Sequence, residues 1–359
     1  MVNEYKNSLR IEQRNKVTSI VKHPLFGFVI LIAVLTAVQL IYMFTDGIIS
    51  LTVSKAIAQT LIYSIIGMGF SILLGYAGLA SLGTAGFIGL GSYIAGNLLI
   101  HMEMPYTFTL LAVITIAIVL GGAVGFISLR IEGMYLAIIT LGLSEILLEL
   151  FKTPNSFTGG ASGLRKVPFT TLFNTIQLDR ETTYFLILAV MFLMIVITIN
   201  IINSPTGRAM LAMKNSSSAA QAMGISILKY RLLAFIIATV YAMIGGALYI
   251  SYNRASDPTS WTLSLSLNIL AAVIIGGSRS IWGVLLGTFV IFGLDLAVLK
   301  NIEFFNNYPG SSMIFSGILI IIIVMFYPGG LVRLFHDINI RVKALRYKWK
   351  VYKYGKDVE

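Results

Sequence analysis

The 359-residue chain contains no cysteine. A disulfide framework, a thiolate metal site and a cysteine nucleophile are therefore excluded. Charge is also scarce: 26 basic and 15 acidic residues amount to 11% of the chain, against about 25% in an ordinary soluble domain. Only three histidines occur, His23, His101 and His336, at segment ends and without metal-ligand spacing. No G-x-x-x-x-G-K-S/T string is present, so there is no P-loop. No paired His/Asp or Ser/Lys site for bond chemistry is visible. The polar stretches are too short for a separate domain of even ~50 residues. A soluble enzyme, a secreted disulfide scaffold and a structured nucleic-acid binder all fall away.

What is abundant is apolar. Hydrophobic residues make up 57% of the chain, and the mean hydropathy is +0.87. Such a chain belongs in a membrane, and at ~20 residues per span it has room for about ten spans. The apolar runs are 25–44, 56–74, 79–100, 107–129, 133–151, 184–203, 231–252, 263–277, 281–299 and 311–327. The first is too long for a signal-peptide core and reads as an uncleaved span. Runs 79–100 and 263–277 are the weakest, and each could be broken or re-entrant. The fold class is all-α and polytopic. The expected organisation is a basic segment 1–24, a membrane domain 25–332 and a basic tail 333–359.

The net charge of +11 is not spread evenly. Seventeen of the 26 basic residues fall in 1–24, 204–231 and 328–359. These patches flank apolar runs and carry no stacking-aromatic platform, so they mark the cytoplasmic side rather than a nucleic-acid site. Six runs separate the first patch from the second, and four separate the second from the third. Both numbers are even, which places all three patches and both termini in the cytoplasm. Segment 204–230 is then a cytoplasmic loop and 152–183 an extracytoplasmic one. The run 341–350 suits the anionic inner leaflet, making membrane lipid a partner.

Glycine is the next signal. It recurs six times between Gly75 and Gly91, and Gly276, Gly277, Gly283 and Gly287 form a second cluster. Small residues four apart allow close helix packing; dense glycine equally permits a pathway-lining break, with Gly83 a candidate. Ionisable residues in apolar runs each cost roughly 3 kcal/mol at the bilayer centre. Glu145 lies near the middle of run 133–151, Glu149 is one turn further along the same face, and Asn268 and Asp295 lie in the eighth and ninth runs respectively. For Glu145 two readings stand: an interhelical hydrogen bond, or a pathway or gating role. The intramembrane Asp/His/Arg chain of a proton-coupled carrier is missing. In the loop, Ser216 to Ile225 reads as a short helix ended by Gly224, with positive φ there.

Several strings then occur in order: Ser81-Leu-Gly83, Arg130-Ile-Glu-Gly133-Met-Tyr135 leading to Glu145, Thr158-Gly-Gly160-Ala-Ser-Gly163, Gly207-Arg208-Ala-Met, Ala219-Ala220-x-x-x-Gly224, Gly245-Gly-Ala-Leu, Asn268-Ile-Leu-Ala, Gly276-Gly277, Trp282-Gly283 and Pro328-Gly-Gly-Leu331. Over roughly residues 56–332 the set resembles the permease subunits of high-affinity branched-chain amino acid ABC importers, the LivM type. Two positions depart from that pattern: Ser218 stands where an acidic residue precedes the two alanines, and Thr84 where many relatives have histidine.

The resemblance implies a type II-like importer permease fold in a bacterial or archaeal cytoplasmic membrane. It implies a second, homologous permease, two ATP-binding subunits and an extracytoplasmic solute-binding protein as partners. ATP and magnesium would be bound by those partners, and this chain would hold no cofactor. Ser218, Ala219, Ala220 and Gly224 would form the loop that docks into the ATPase. Glu145, Glu149, Asn268 and Gly83 are candidate pathway residues, and Arg165 and Lys166 are candidates for docking the binding protein. Leucine, isoleucine and valine are the expected solutes, moved by alternating access. A permease for urea, short-chain amides or other small solutes is the alternative within the family. A stand-alone secondary transporter or channel is the alternative outside it.

Overall fold

A computed structural model describes residues 25–44, 51–128, 134–154, 157–173, 175–294 and scattered positions between 314 and 337. The basic segment 1–24, Asp295, most of run 311–327 and the tail beyond residue 337 lie outside the described residues. The helices follow the apolar runs, as they must where no water is available to pair backbone groups. They are α1 Phe26–Phe44, α2 Leu51–Tyr76, α3 Thr84–His101, α4 Tyr106–Ser128, α5 Met134–Lys152, α6 Arg180–Asn203, α7 Pro205–Asn215, α8 Ser217–Ala222, α9 Ile227–Asn253, α10 Leu263–Gly276 and α11 Ile281–Gly293. The last turns of α2 and α11 are π-turns. A two-residue hairpin pairs β1 Thr171–Leu172 with β2 Ile176–Gln177.

Nine of the ten expected runs carry a helix among the described residues. Six stretches are long and apolar enough to cross a membrane: α1, α2, α4, α6, α9 and Pro258–Gly276, which is α10 with the turn before it. Helix α3 is diluted by glycine, Asn97 and His101, and α5 by Glu145, Glu149 and Lys152.

The core is built on α9, which packs against α2, α3 and α4. Lipid removes most of the hydrophobic drive between helices, so close backbone contact and hydrogen bonds must hold them. Both are present. A Cβ on Gly246 of α9 would overlap the Ile88 carbonyl of α3, so no side chain fits between the two backbones. Hydroxyls add cross-links: Ser64 to Thr288 at 2.6 Å, Thr198 to Tyr241 at 2.9 Å and Ser54 to Gln39 at 3.0 Å. Such bonds average about 0.6 kcal/mol each in membranes. Helix α1 packs along α6, stacks Phe28 on Trp282 at 4.5 Å and accepts from Ser54 through Gln39.

Run 79–100 opens without helix and is continuous helix from Thr84 to His101. Helix α3 begins only at Thr84, and residues 77–83 are not helical. A helix starting among other helices leaves N–H groups that need partners, and neighbouring hydroxyls supply them. Thr140 Oγ1 accepts from Leu82 at 3.0 Å, Ser266 Oγ from Ala85 at 2.9 Å and Ser144 Oγ from Gly86 at 3.2 Å. All three hydroxyl residues are buried.

Candidate functional site

Four groups of candidate residues lie in different places. The first is the segment from Ser204 to Ile225. Ser204 caps α7, its hydroxyl accepting from Gly207 at 3.3 Å, with Pro205 in the first turn. Met210 and Met213 bury one face of α7 in the core. Ser216 ends α7 and caps α8, accepting from Ala219 at 3.3 Å. Helix α8 closes in a Schellman motif: Ile225 N donates to Ala220 O and Gly224 N to Gln221 O, both at 3.0 Å. Gly224 has φ +80, and no heavy atom lies within 4 Å of where its Cβ would be. Ala220 is buried at 4%, while Ser218 and Ala219 are exposed. Met223, absent from the candidates read from the sequence, is 84% exposed at the tip. Its signal was a large apolar residue directly before the terminating glycine. The segment is thus a short helix on a buried base with an apolar knob.

The second group is on α5 and α10. Helix α5 turns Thr140 and Ser144 inward to α3 and leaves Tyr135, Ile138, Glu145, Ile146 and Glu149 exposed. Glu149 pairs with Lys152 at 2.7 Å. Glu145 makes no ion pair or hydrogen bond among the described residues. Asn268 is exposed on α10 beside Leu267 and one turn from Ser264. Gly83 does not join them. It is buried, and its Cβ would lie 2.5 Å from the Thr140 carbonyl on the inner flank of α5.

The third group surrounds the non-helical stretch 77–83. Ser81 and Thr84 border a cavity of about 10 Å³ with Phe70, Leu73, Phe87 and Phe235. That is room for about one water and not for an amino acid. Lys214 of α7 donates to the carbonyls of Leu74 at 3.0 Å and Gly75 at 2.9 Å. Burial pushes its ammonium below the usual lysine value, and nearby Arg279 adds to the shift. A wider cleft of about 490 Å³, bordered by Ile274, Ser278, Arg279, Ser280 and Arg333, opens beside the α10–α11 turn.

The fourth group lies at the other end, in 153–179 and 254–262. Leu164 and Ser256 form an antiparallel bridge, and Arg165 pairs with Asp257. Lys166 is exposed with φ +55. Arg254 lies 3.5 Å from the centre of the Phe169 ring and donates to Val167 O at 3.3 Å and Leu178 O at 2.6 Å. Burial pushes its guanidinium down to about 10, opposed by Asp179, so it remains charged at neutral pH. Phe173 and Ile176, 66% and 53% exposed on the hairpin, form an apolar ridge that the charge-based reading of this loop missed. Replacing Arg254 with alanine removes two hydrogen bonds from a charged donor and loosens the loop by about 2 kcal/mol. Amide exchange across 164–178 should then rise roughly 30-fold, with exchange in α9 unchanged.

A family model described as the permease component of the branched-chain amino acid transport system matches residues 52–324. The chain belongs to this permease family. It is 28% identical over 336 residues to the high-affinity branched-chain amino acid transport system permease protein LivM of Salmonella typhimurium, covering 87% of this chain and 76% of that one. It is 29% identical over 295 residues to the LivM protein of Escherichia coli, covering 76% and 68%. It is 22% identical over 308 residues to the ribose import permease protein RbsC of Haemophilus influenzae, covering 83% and 90%. No solved structure matches the chain. As a permease it is a multi-pass membrane component of a transport system rather than an enzyme.

Proposed function

We propose that this permease carries branched-chain amino acids across the cytoplasmic membrane by alternating access, driven by ATP-hydrolysing subunits that dock on α8. The observation that carries the reading is the α8 segment itself. A six-residue helix with an exposed apolar tip, held by a neighbouring helix with one face in the core, is built to meet another protein. The passage lies on the exposed α5–α10 flank, between this chain and a second permease. Glu145 on α5 and Asn268 on α10 are each polar and exposed, and a second subunit or a water-filled passage gives them company that lipid does not. The selectivity of the system rests largely with a solute-binding protein, whose docking surface is the loop with Arg165, Lys166, Phe173 and Ile176.

The ribose permease relative gives a second reading, in which the same scaffold moves another small polar solute. Thermal-shift profiling of the cognate solute-binding protein separates them. Stabilisation by leucine, isoleucine and valine supports the first, and stabilisation by a sugar, urea or an amide supports the second.

Sidedness follows from the three basic segments. The chain has no cysteine to remove, so single-cysteine labelling is direct. A cysteine at Lys166 should react with a membrane-impermeant maleimide in whole cells, and one at Met223 only in inside-out vesicles. Reaction of both from the same side would refute the topology.

A further inference from the structure

We infer that Lys214 is a positioning residue for transport, tying the α7–α8 segment to the backbone turn at Gly75–Gly78 and thereby setting the place of residues 77–83. The inference rests on the reading of α8 as the ATPase-docking element.

Lys214 is the penultimate residue of α7, and only Asn215 and Ser216 separate it from α8. Its ammonium does not meet a carboxylate: it forms no ion pair among the described residues. It meets instead the Leu74 and Gly75 carbonyls in the π-turn that ends α2. The last carbonyls of a helix lack intrahelical donors and carry the negative end of its dipole, so a cation is held well there.

The lysine stem is fixed as well. Gly78 has φ +72, and a Cβ there would lie 2.9 Å from Lys214 Cγ. Glycine serves both needs: a left-handed backbone and a gap for the stem. The turn at 277–280 joins the same node. Ser71 Oγ donates to Ser278 O at 2.8 Å, Tyr76 OH to Arg279 O at 3.1 Å and Arg279 Nε to Gly75 O at 3.4 Å. Three separate pieces of chain therefore meet at the Gly75 carbonyl.

From this node the chain runs without helix to Gly83. There it lies against Thr140 of α5, the helix that exposes Glu145. Ser81 and Thr84 on the way border the one-water cavity. A displacement of α7 and α8 must either drag the Gly75–Gly78 turn or break the two Lys214 bonds. Pulling on carbonyls rather than on a carboxylate leaves no unpaired acid behind when the bonds exchange.

A helix cap of merely structural value and a positioning residue differ in what their loss changes. The test uses the full complex in proteoliposomes, with Lys214→Met, Lys214→Arg and Gly224→Val compared with wild type. Lys214→Met should assemble, hydrolyse ATP within about twofold of wild type and take up solute at least about tenfold more slowly. The ATP-dependent change in amide exchange across 77–83 should vanish in Lys214→Met, and Lys214→Arg should restore most uptake. Wild-type uptake by Lys214→Met while Gly224→Val fails overturns this inference alone. Joint loss of assembly, hydrolysis and uptake in Lys214→Met, with no rescue by arginine, reduces Lys214 to a structural cap and also overturns it. Wild-type uptake by Gly224→Val removes the docking reading and this inference with it.

Discussion

Gly224→Val should leave the permease inserted and folded but unable to use ATP for uptake. Space is not the difficulty, because no heavy atom lies within 4 Å of a Cβ at this position. The difficulty is φ +80, which a β-branched residue adopts only under strain. A penalty of ~1–3 kcal/mol lowers the share of α8 in its docking form by roughly 5- to 150-fold. Uptake and receptor-stimulated ATP hydrolysis should fall together by that order, while the soluble receptor binds solute normally. Asparagine tolerates the left-handed region, so Gly224→Asn should stay close to wild type. Equal loss in both variants would show that conformation at this position is not the cause. Met223→Asp, which puts a charge on the exposed tip, should mimic the valine variant without altering the backbone.

Glu145→Leu should lower uptake about tenfold or more with the complex still assembled. The carboxylate has no partner among the described residues of its own chain and lies on an exposed flank among Ile138, Ile146 and Tyr135. Leucine is the better residue for lipid, so a lipid-facing position would gain stability and keep transport. A position on a wet passage or against a second permease would lose function. Uptake measured alongside the yield of purified complex separates these outcomes: loss of assembly means a bond between subunits, and loss of uptake alone means the passage. Glu149→Gln should be tolerated, since an exposed pair such as Glu149–Lys152 contributes about 0–1 kcal/mol.

The helices were legible because apolar run length fixes them, and the end of α8 because a helix terminated by glycine is coded within five residues. The break before α3 was legible only as an ambiguity. Hydropathy cannot register that Thr140, Ser144 and Ser266, from two other helices, supply the oxygens that let a helix begin at Thr84. Glu145 shows the same limit from the other direction. Its sequence context gives the cost of a buried charge but not the neighbour that meets it, and the flank it occupies became evident only with the fold. Lys214 was read as one charge among those marking the cytoplasmic side, yet it holds carbonyls 139 and 140 residues away. Arg165 and Lys166 stand out in the sequence as cations of the 152–183 loop, whereas only the hairpin places Phe173 and Ile176 at the surface of the same loop.

Uptake of labelled leucine into proteoliposomes bearing the complete complex, with ATP or ADP sealed inside, tests most directly whether this chain is a passive permease powered through α8. The expected result is leucine accumulation that requires ATP, requires the solute-binding protein and is lost in Gly224→Val. Accumulation driven by a proton or sodium gradient with ADP alone would contradict it and identify a self-sufficient transporter instead.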